Sequence, residues 1–177
     1  MVVKVEDSKV TEIKKNRNNK EYVIDAVGSQ GKLLEWASEE LRDDEEVVKK
    51  ALENDGEAME FASDRLKNNK EIMLLAIKNA PWTACYASEN LKADKEVILE
   101  SVKSYGQTLY YASEKLRDDE DVVKAAVLNK GLIIKYASFR LRDNEEIAKI
   151  AVSQDKRAIH FLSERLKKSE EILKLIN

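Results

Sequence analysis

The sequence holds one imidazole and one thiol, His160 and Cys85. A histidine beside a cysteine could serve as general base to a nucleophile, and such a pair must meet at about 3 Å. A soft-metal site asks for three or four ligands around one ion, which one His and one Cys cannot supply within one chain. The acids are more abundant. Asp43-Asp44-Glu45-Glu46 and Asp118-Asp119-Glu120-Asp121 are runs that could attract calcium or magnesium. Calcium loops space their oxygens at alternating positions around a glycine turn, whereas these acids are contiguous. The glycines are singly placed turn residues, so no glycine-rich loop cradles a phosphate.

Whether any of these groups can meet depends on the elements that carry them, and those elements repeat. The hexapeptide Tyr111-Ala112-Ser113-Glu114-Lys115-Leu116 is one of six copies, the others beginning at Trp36, Phe61, Tyr86, Tyr136 and Phe161, always 25 residues apart. A strict period of this length predicts an α-solenoid, in which each unit packs only on its neighbours. The units are 19–43, 44–68, 69–93, 94–118, 119–143 and 144–168. Residues 1–18 precede them as an N-terminal cap. Met1 to Val5 is read as a short extended piece, and Ser8 as the cap of a helix carrying Val10 and Ile13 to about Arg17. Residues 169–177 form a half repeat, one helix whose Ile172, Leu173 and Ile176 pack back on the sixth unit. Cys85 and His160 fall in one column, three repeats apart. Neighbouring helices sit about 8–10 Å apart, so no dyad forms within one chain. The expectation is a protein without catalytic residues, cofactor or metal.

Each unit opens on a capping residue (Asn19, Asp44, Asn69, Asp94, Asp119, Asn144; then Ser169) and carries an acid two places on. Short oxygen side chains satisfy the first free amides of a helix, and acids there complement its dipole, so the acidic runs are read as caps. Apolar residues at i, i+1, i+4 and i+5, such as Val47, Val48, Ala51 and Leu52, then mark one face of a helix of about 11 residues. Gly31, Gly56, Gly106 and Gly131 share one turn column with Pro81 and Lys156. Glycine there is read as closing the helix in the left-handed conformation. A second helix carries the hexapeptide. Its alanine column (Ala37, Ala62, Ala87, Ala112, Ala137, then Leu162) marks close approach of a neighbour, and its serine column marks a break where Ser caps a short final turn. An unbroken second helix is the rival reading. The aromatic column is read as a core wedge rather than a base-stacking ladder, because a repeated apolar stripe is usually the packed face.

The acid-rich start, Val-Val-x-x-Ala-Val, glycine turn and Tyr-Ala-Ser-x-x-Leu together resemble the tandem repeats of the domain-of-unknown-function family numbered 4116, over about residues 19–176. The resemblance implies a tandem helical array and carries no activity or site residues.

Net charge is −3, which makes no strong electrostatic case for a polyanion partner. The first two units together carry 7 positive and 14 negative residues, the last two 11 and 8. Only the C-terminal units, through Lys135, Arg140, Arg142, Arg157 and Arg165, could serve the alternative function of nucleic-acid binding. The longest apolar run, Ile72 to Ile77, is far below the roughly 18 residues of a membrane span, and Glu6 and Asp7 interrupt the place of a signal peptide. A cytoplasmic, monomeric protein is expected, although export without a cleaved signal would leave no trace and the C-terminal helix offers a route to self-association. The function expected is a non-enzymatic scaffold for an unidentified protein partner. The candidate contact is where the repeat pattern breaks. Trp82 and Leu132 replace polar residues after the turn, and three places on stand Cys85 and Tyr110, with Tyr105 bordering them. Positions three apart share a helix face, and Trp and Tyr are common interface anchors. The competing reading has these side chains covering turns or the core edge.

The alanine column yields a packing test. Ala112→Leu should destabilise by about 1–3 kcal/mol through overpacking, with Leu162 as the natural control. An unchanged unfolding midpoint would remove the close-approach reading.

Overall fold

The computed structural model describes residues 3–176, and side chains from Ser8 onward; Met1, Val2 and Asn177 lie outside the described residues. It is an all-α repeat fold grouped into two compact units, Met1–Ser88 and Glu89–Asn177.

Every repeat folds in the same three pieces. The first is an α-helix of ten residues: Lys20–Ser29, Glu45–Asn54, Lys70–Asn79, Lys95–Ser104, Glu120–Asn129 and Glu145–Gln154. Its predicted cap residue does the capping, as when Asp44 accepts from the amides of Glu46 and Val47 at 3.0 and 3.1 Å. Asn19, Asn69, Asp94, Asp119 and Asn144 cap in the same way. The second piece is a 3₁₀ helix: Gly31–Trp36, Gly56–Phe61, Pro81–Tyr86, Gly106–Tyr110, Gly131–Tyr136 and Lys156–Phe161. The third is one α-helical turn, such as Asp64–Lys67 or Phe139–Arg142. The second helix of the sequence reading is therefore broken, as the serine column indicates, and its first half is 3₁₀ rather than α.

In the first unit the ten-residue helices of the first three repeats lie side by side, and so do their 3₁₀ helices. The N-terminal helix, Val3–Lys15, packs on the first repeat and buries Ile13 completely. Val3 to Val5 are thus helical rather than extended, and Ser8 lies inside the helix rather than at its cap. In the second unit the ten-residue helices of the fourth to sixth repeats stack in order, and the last helix, Glu170–Ile176, closes on the sixth. Ile172 is buried there, and Leu173 and Ile176 are half-buried. The apolar columns of the ten-residue helices, such as Val122, Val123, Ala126 and Val127, are fully buried. The fourth repeat places Ser101 and Thr108 inside, where their hydroxyls pair at 2.5 Å.

Three sets of contacts join consecutive repeats. The turn glycines serve close approach, not handedness: no described residue has a positive φ. A Cβ on Gly31 would stand 2.5 Å from the carbonyl oxygen of Ala51, and one on Gly56 or Gly106 would stand 2.6 Å from that of Ala76 or Ala126. The amide of Gly31 donates to Asn54 Oδ1 and that of Gly106 to Asn129 Oδ1, each at 2.8 Å. At the C-terminal end the same column holds Lys156, whose ammonium donates to the Ile176 carbonyl. The serine column forms the second set. The Ser63, Ser138 and Ser163 hydroxyls cap their own short helices and donate to Asp43, Asp118 and Asp143 of the preceding repeat. Arg65, Arg140 and Arg165 join the same aspartates. Third, the serine amide bonds across to the preceding repeat's last turn, as from Ser138 to the Arg117 carbonyl at 2.8 Å.

Gly56→Ala should destabilise by about 1–3 kcal/mol, because the added Cβ meets backbone. Gly28→Ala is the control: its Cβ would meet only the flexible end of Lys50 at 3.0 Å, and alanine favours a helix. Equal effects from the two would remove the close-approach account.

The Asp43, Asp118 and Asp143 carboxyls are held below their ordinary 3.8, first by the serine hydroxyl of the next repeat and then by its arginine. A folded pKa below the unfolded one stabilises above about pH 4 and is lost as pH falls through the folded value. The urea midpoint should therefore drop on acidification below about pH 4, and Asp118→Asn should flatten part of that drop. An identical pH profile in the variant would count against the aspartate contacts.

Candidate functional site

With three residues per turn, residues i and i+3 of a 3₁₀ helix eclipse one another. One row of the 3₁₀ helix, such as Gly31 with Leu34 or Gly131 with Ile134, is buried in the first, second, fourth and fifth repeats. A second row pairs a buried residue with the aromatic, as Ile133 with Tyr136. The third row faces outward and is the row of the pattern-breaking residues.

In the first unit this outward row is Lys32 with Glu35, Glu57 with Glu60, and Trp82 with Cys85. It is tied together by charge. Lys32 pairs with one Glu57 oxygen, and Trp82 Nε1 donates to the other at 3.0 Å. The Lys32 ammonium, with help from Trp82, holds the Glu57 carboxyl below its usual range. Trp82 is 42% exposed and Cys85 is half-buried. Burial, followed by a hydrogen bond to Glu60, pushes the Tyr86 phenol up to about 12, so it stays protonated.

In the second unit the outward row is Gln107 with Tyr110, Leu132 with Lys135, and Arg157 with His160. Between the fourth and fifth repeats it borders an open groove of about 430 Å³. Tyr105, Gln107, Tyr110 and Tyr111 line it from the fourth repeat, and Lys130, Leu132, Ile133, Lys135 and Tyr136 from the fifth. Tyr110, 56% exposed, stands with its ring 5.0 Å from those of Tyr111 and Tyr136, at interplanar angles of 79° and 59°. The Lys135 ammonium lies 4.7 Å over the Tyr136 ring. Three of the sequence candidates, Tyr105, Tyr110 and Leu132, therefore share one groove in the second unit, while Trp82 and Cys85 share one row in the first.

The sequence matches the family model described as "Domain of unknown function (DUF4116)" over residues 19–63, 44–92 and 94–142, more than half of the chain. The chain belongs to this family. No curated protein and no solved structure matches it. The family description names no activity, so membership in DUF4116 carries the repeat fold and leaves function to the site.

The aromatic column of this DUF4116 chain lies at the edge of the core rather than within it, and Tyr136 and Phe161 pack against the buried cluster of the second unit. Trp36, Phe61, Tyr86, Tyr136 and Phe161 are half-buried, and Tyr111 is 40% exposed. The 3₁₀ geometry is the reason: the column sits one row from the core, and rings in it meet the preceding segment, Trp36 under Lys14 and Tyr136 against Tyr110. Tyr111 and Tyr136 thus belong to the groove, which the sequence reading missed, along with Gln107 and Lys130, while Lys135 was singled out there only for the nucleic-acid alternative. The 25-residue register places Tyr111 and Tyr136 beside the outward row; the 3₁₀ period is what exposes them.

The acids and most of the basic residues singled out in the sequence have partners. Asp44 caps its helix and pairs with Lys20 at 2.8 Å, while Asp119 caps and pairs with Lys95 at 2.9 Å. Asp43 and Asp118 hold the next repeat's serine and arginine. Arg140, Arg157 and Arg165 are ion-paired with Asp118, Asp155 and Asp143. Arg142 lies over Phe139, which is itself 70% exposed. His160 is exposed at the end of its 3₁₀ helix. Among the described residues, no helix is long and apolar enough to cross a membrane.

Proposed function

We propose that this chain is a non-enzymatic helical-repeat scaffold for protein–protein interaction, and that it meets its partner at the groove between the fourth and fifth repeats. The observation that carries the reading is the gathering of four tyrosines and Leu132 around one open groove, with Tyr110 more than half exposed. Aromatic anchors in a pre-formed depression are the usual core of a protein contact. The rings already pack on one another, so little rotamer freedom remains to be lost on binding. The nucleic-acid alternative has less support. A polyanion track needs available cations along its length, and Arg140, Arg157 and Arg165 are occupied by aspartates.

The test is capture of partners by the full chain from its native source, with and without nuclease, beside Tyr110→Ala. A protein partner that survives nuclease and is lost with Tyr110→Ala is the expected result. That variant should change the unfolding free energy by no more than about 1 kcal/mol, as for an exposed side chain. Loss of every partner to nuclease would favour nucleic acid instead, and a partner retained by Tyr110→Ala would move the contact elsewhere.

A further inference from the structure

We infer, resting on the reading of the groove as a protein contact, that its occupant is an acidic, extended protein segment. Charge is the first argument. Lys130 and Lys135 are the charged side chains of the lining, and no carboxylate faces the groove. Neither lysine forms an ion pair among the described residues. Lys20, Lys32, Lys95 and Lys124, which also sit at contacts between repeats, are each held by an acid of the following repeat. Three repeats earlier the same two columns hold the acids Asp55 and Glu60, beside the Lys32–Glu57 pair that Trp82 also joins. In the second unit the sign of these two columns is reversed and no acid lines the groove, so it is complementary to carboxylates supplied from outside.

Shape and ring orientation narrow the chemistry further. About 430 Å³ lies near the low end of ligand-sized depressions, room for a few residues rather than a folded surface. The Tyr110 and Tyr136 hydroxyls and the Gln107 amide can meet the backbone groups of an extended chain, and Leu132 with the Tyr110 and Tyr136 rings can receive an apolar side chain. Single-stranded nucleic acid would want flat platforms for successive bases. Here Tyr110 is wedged between two rings at 59° and 79°, which leaves a slot rather than a stack of parallel faces.

A random peptide library displayed against the full chain tests this, with Tyr110→Ala and the double variant Lys130→Glu/Lys135→Glu run in parallel. Both lysines are exposed, and a Lys130→Gln/Lys135→Gln variant separates charge from fold. Expected is enrichment of net-acidic peptides whose affinity falls about tenfold or more on charge reversal, less on neutralisation, and with rising salt. Neutral or basic peptides that still depend on Tyr110, or acidic peptides indifferent to charge reversal, would overturn the inference and leave the groove as a protein contact. The absence of any Tyr110-dependent peptide would overturn both readings. Two further arms name rival occupants. Oligouridylate bound more tightly than any selected peptide would assign the groove to nucleic acid. A Tyr110-dependent dimer in sedimentation would assign it to a second copy of the chain.

Discussion

The backbone approach between one repeat's turn and the next repeat's long helix governs the rest of this structure. Gly31, Gly56, Gly106 and Gly131 each lie against a carbonyl of the following helix, at a distance no Cβ could share. Asn54 and Asn129 fasten two of these approaches by accepting the glycine amide. Helices of ten residues are marginal in water when alone, so the stability of each depends on the neighbour that the glycine admits. Once this spacing is set, the serine amide of each repeat reaches a carbonyl of the segment before it, and the Ser63, Ser138 and Ser163 hydroxyls reach an aspartate there.

Charge on this surface is mostly internal wiring. Exposed pairs contribute little one at a time, but here they recur in register, with each aspartate tied to the serine and arginine 20 and 22 residues later. The acidic runs that resemble cation ligands are spent on caps and on these inter-repeat contacts. The groove of the second unit differs from these contacts in that its two lysines, Lys130 and Lys135, have no acid among the residues that line it.

A repeat fold can change one column without disturbing the others, because the packed rows and the outward row are separate sets of positions. Replacing Glu60 by its counterparts Tyr110 and Lys135 alters what the surface presents while Met59, Leu109 and Ile134 stay buried in the row beside it. Function in such a chain is therefore expected in the residues that depart from the repeat, carried on a scaffold that the repeat itself maintains.

From the amino acids alone came the period, the capping residues, the buried columns of the long helix, the break at the serine and the unusual character of Trp82, Cys85, Tyr105, Tyr110 and Leu132. Recurrence at fixed spacing reports which positions share an environment, and that information is one-dimensional. It could not show that the second helix is 3₁₀, since an i, i+3 pattern suits both helix types. Nor could it show that the glycines are needed for a carbonyl in the next repeat, because a missing Cβ looks the same whether it frees a dihedral or vacates space. Tyr111 and Tyr136 were assigned to the core because they keep step with buried leucines. Only the tertiary structure set them at the core's edge, because the tighter 3₁₀ turn places their row beside the core, where both meet Tyr110 and Tyr136 does so across the boundary between two repeats.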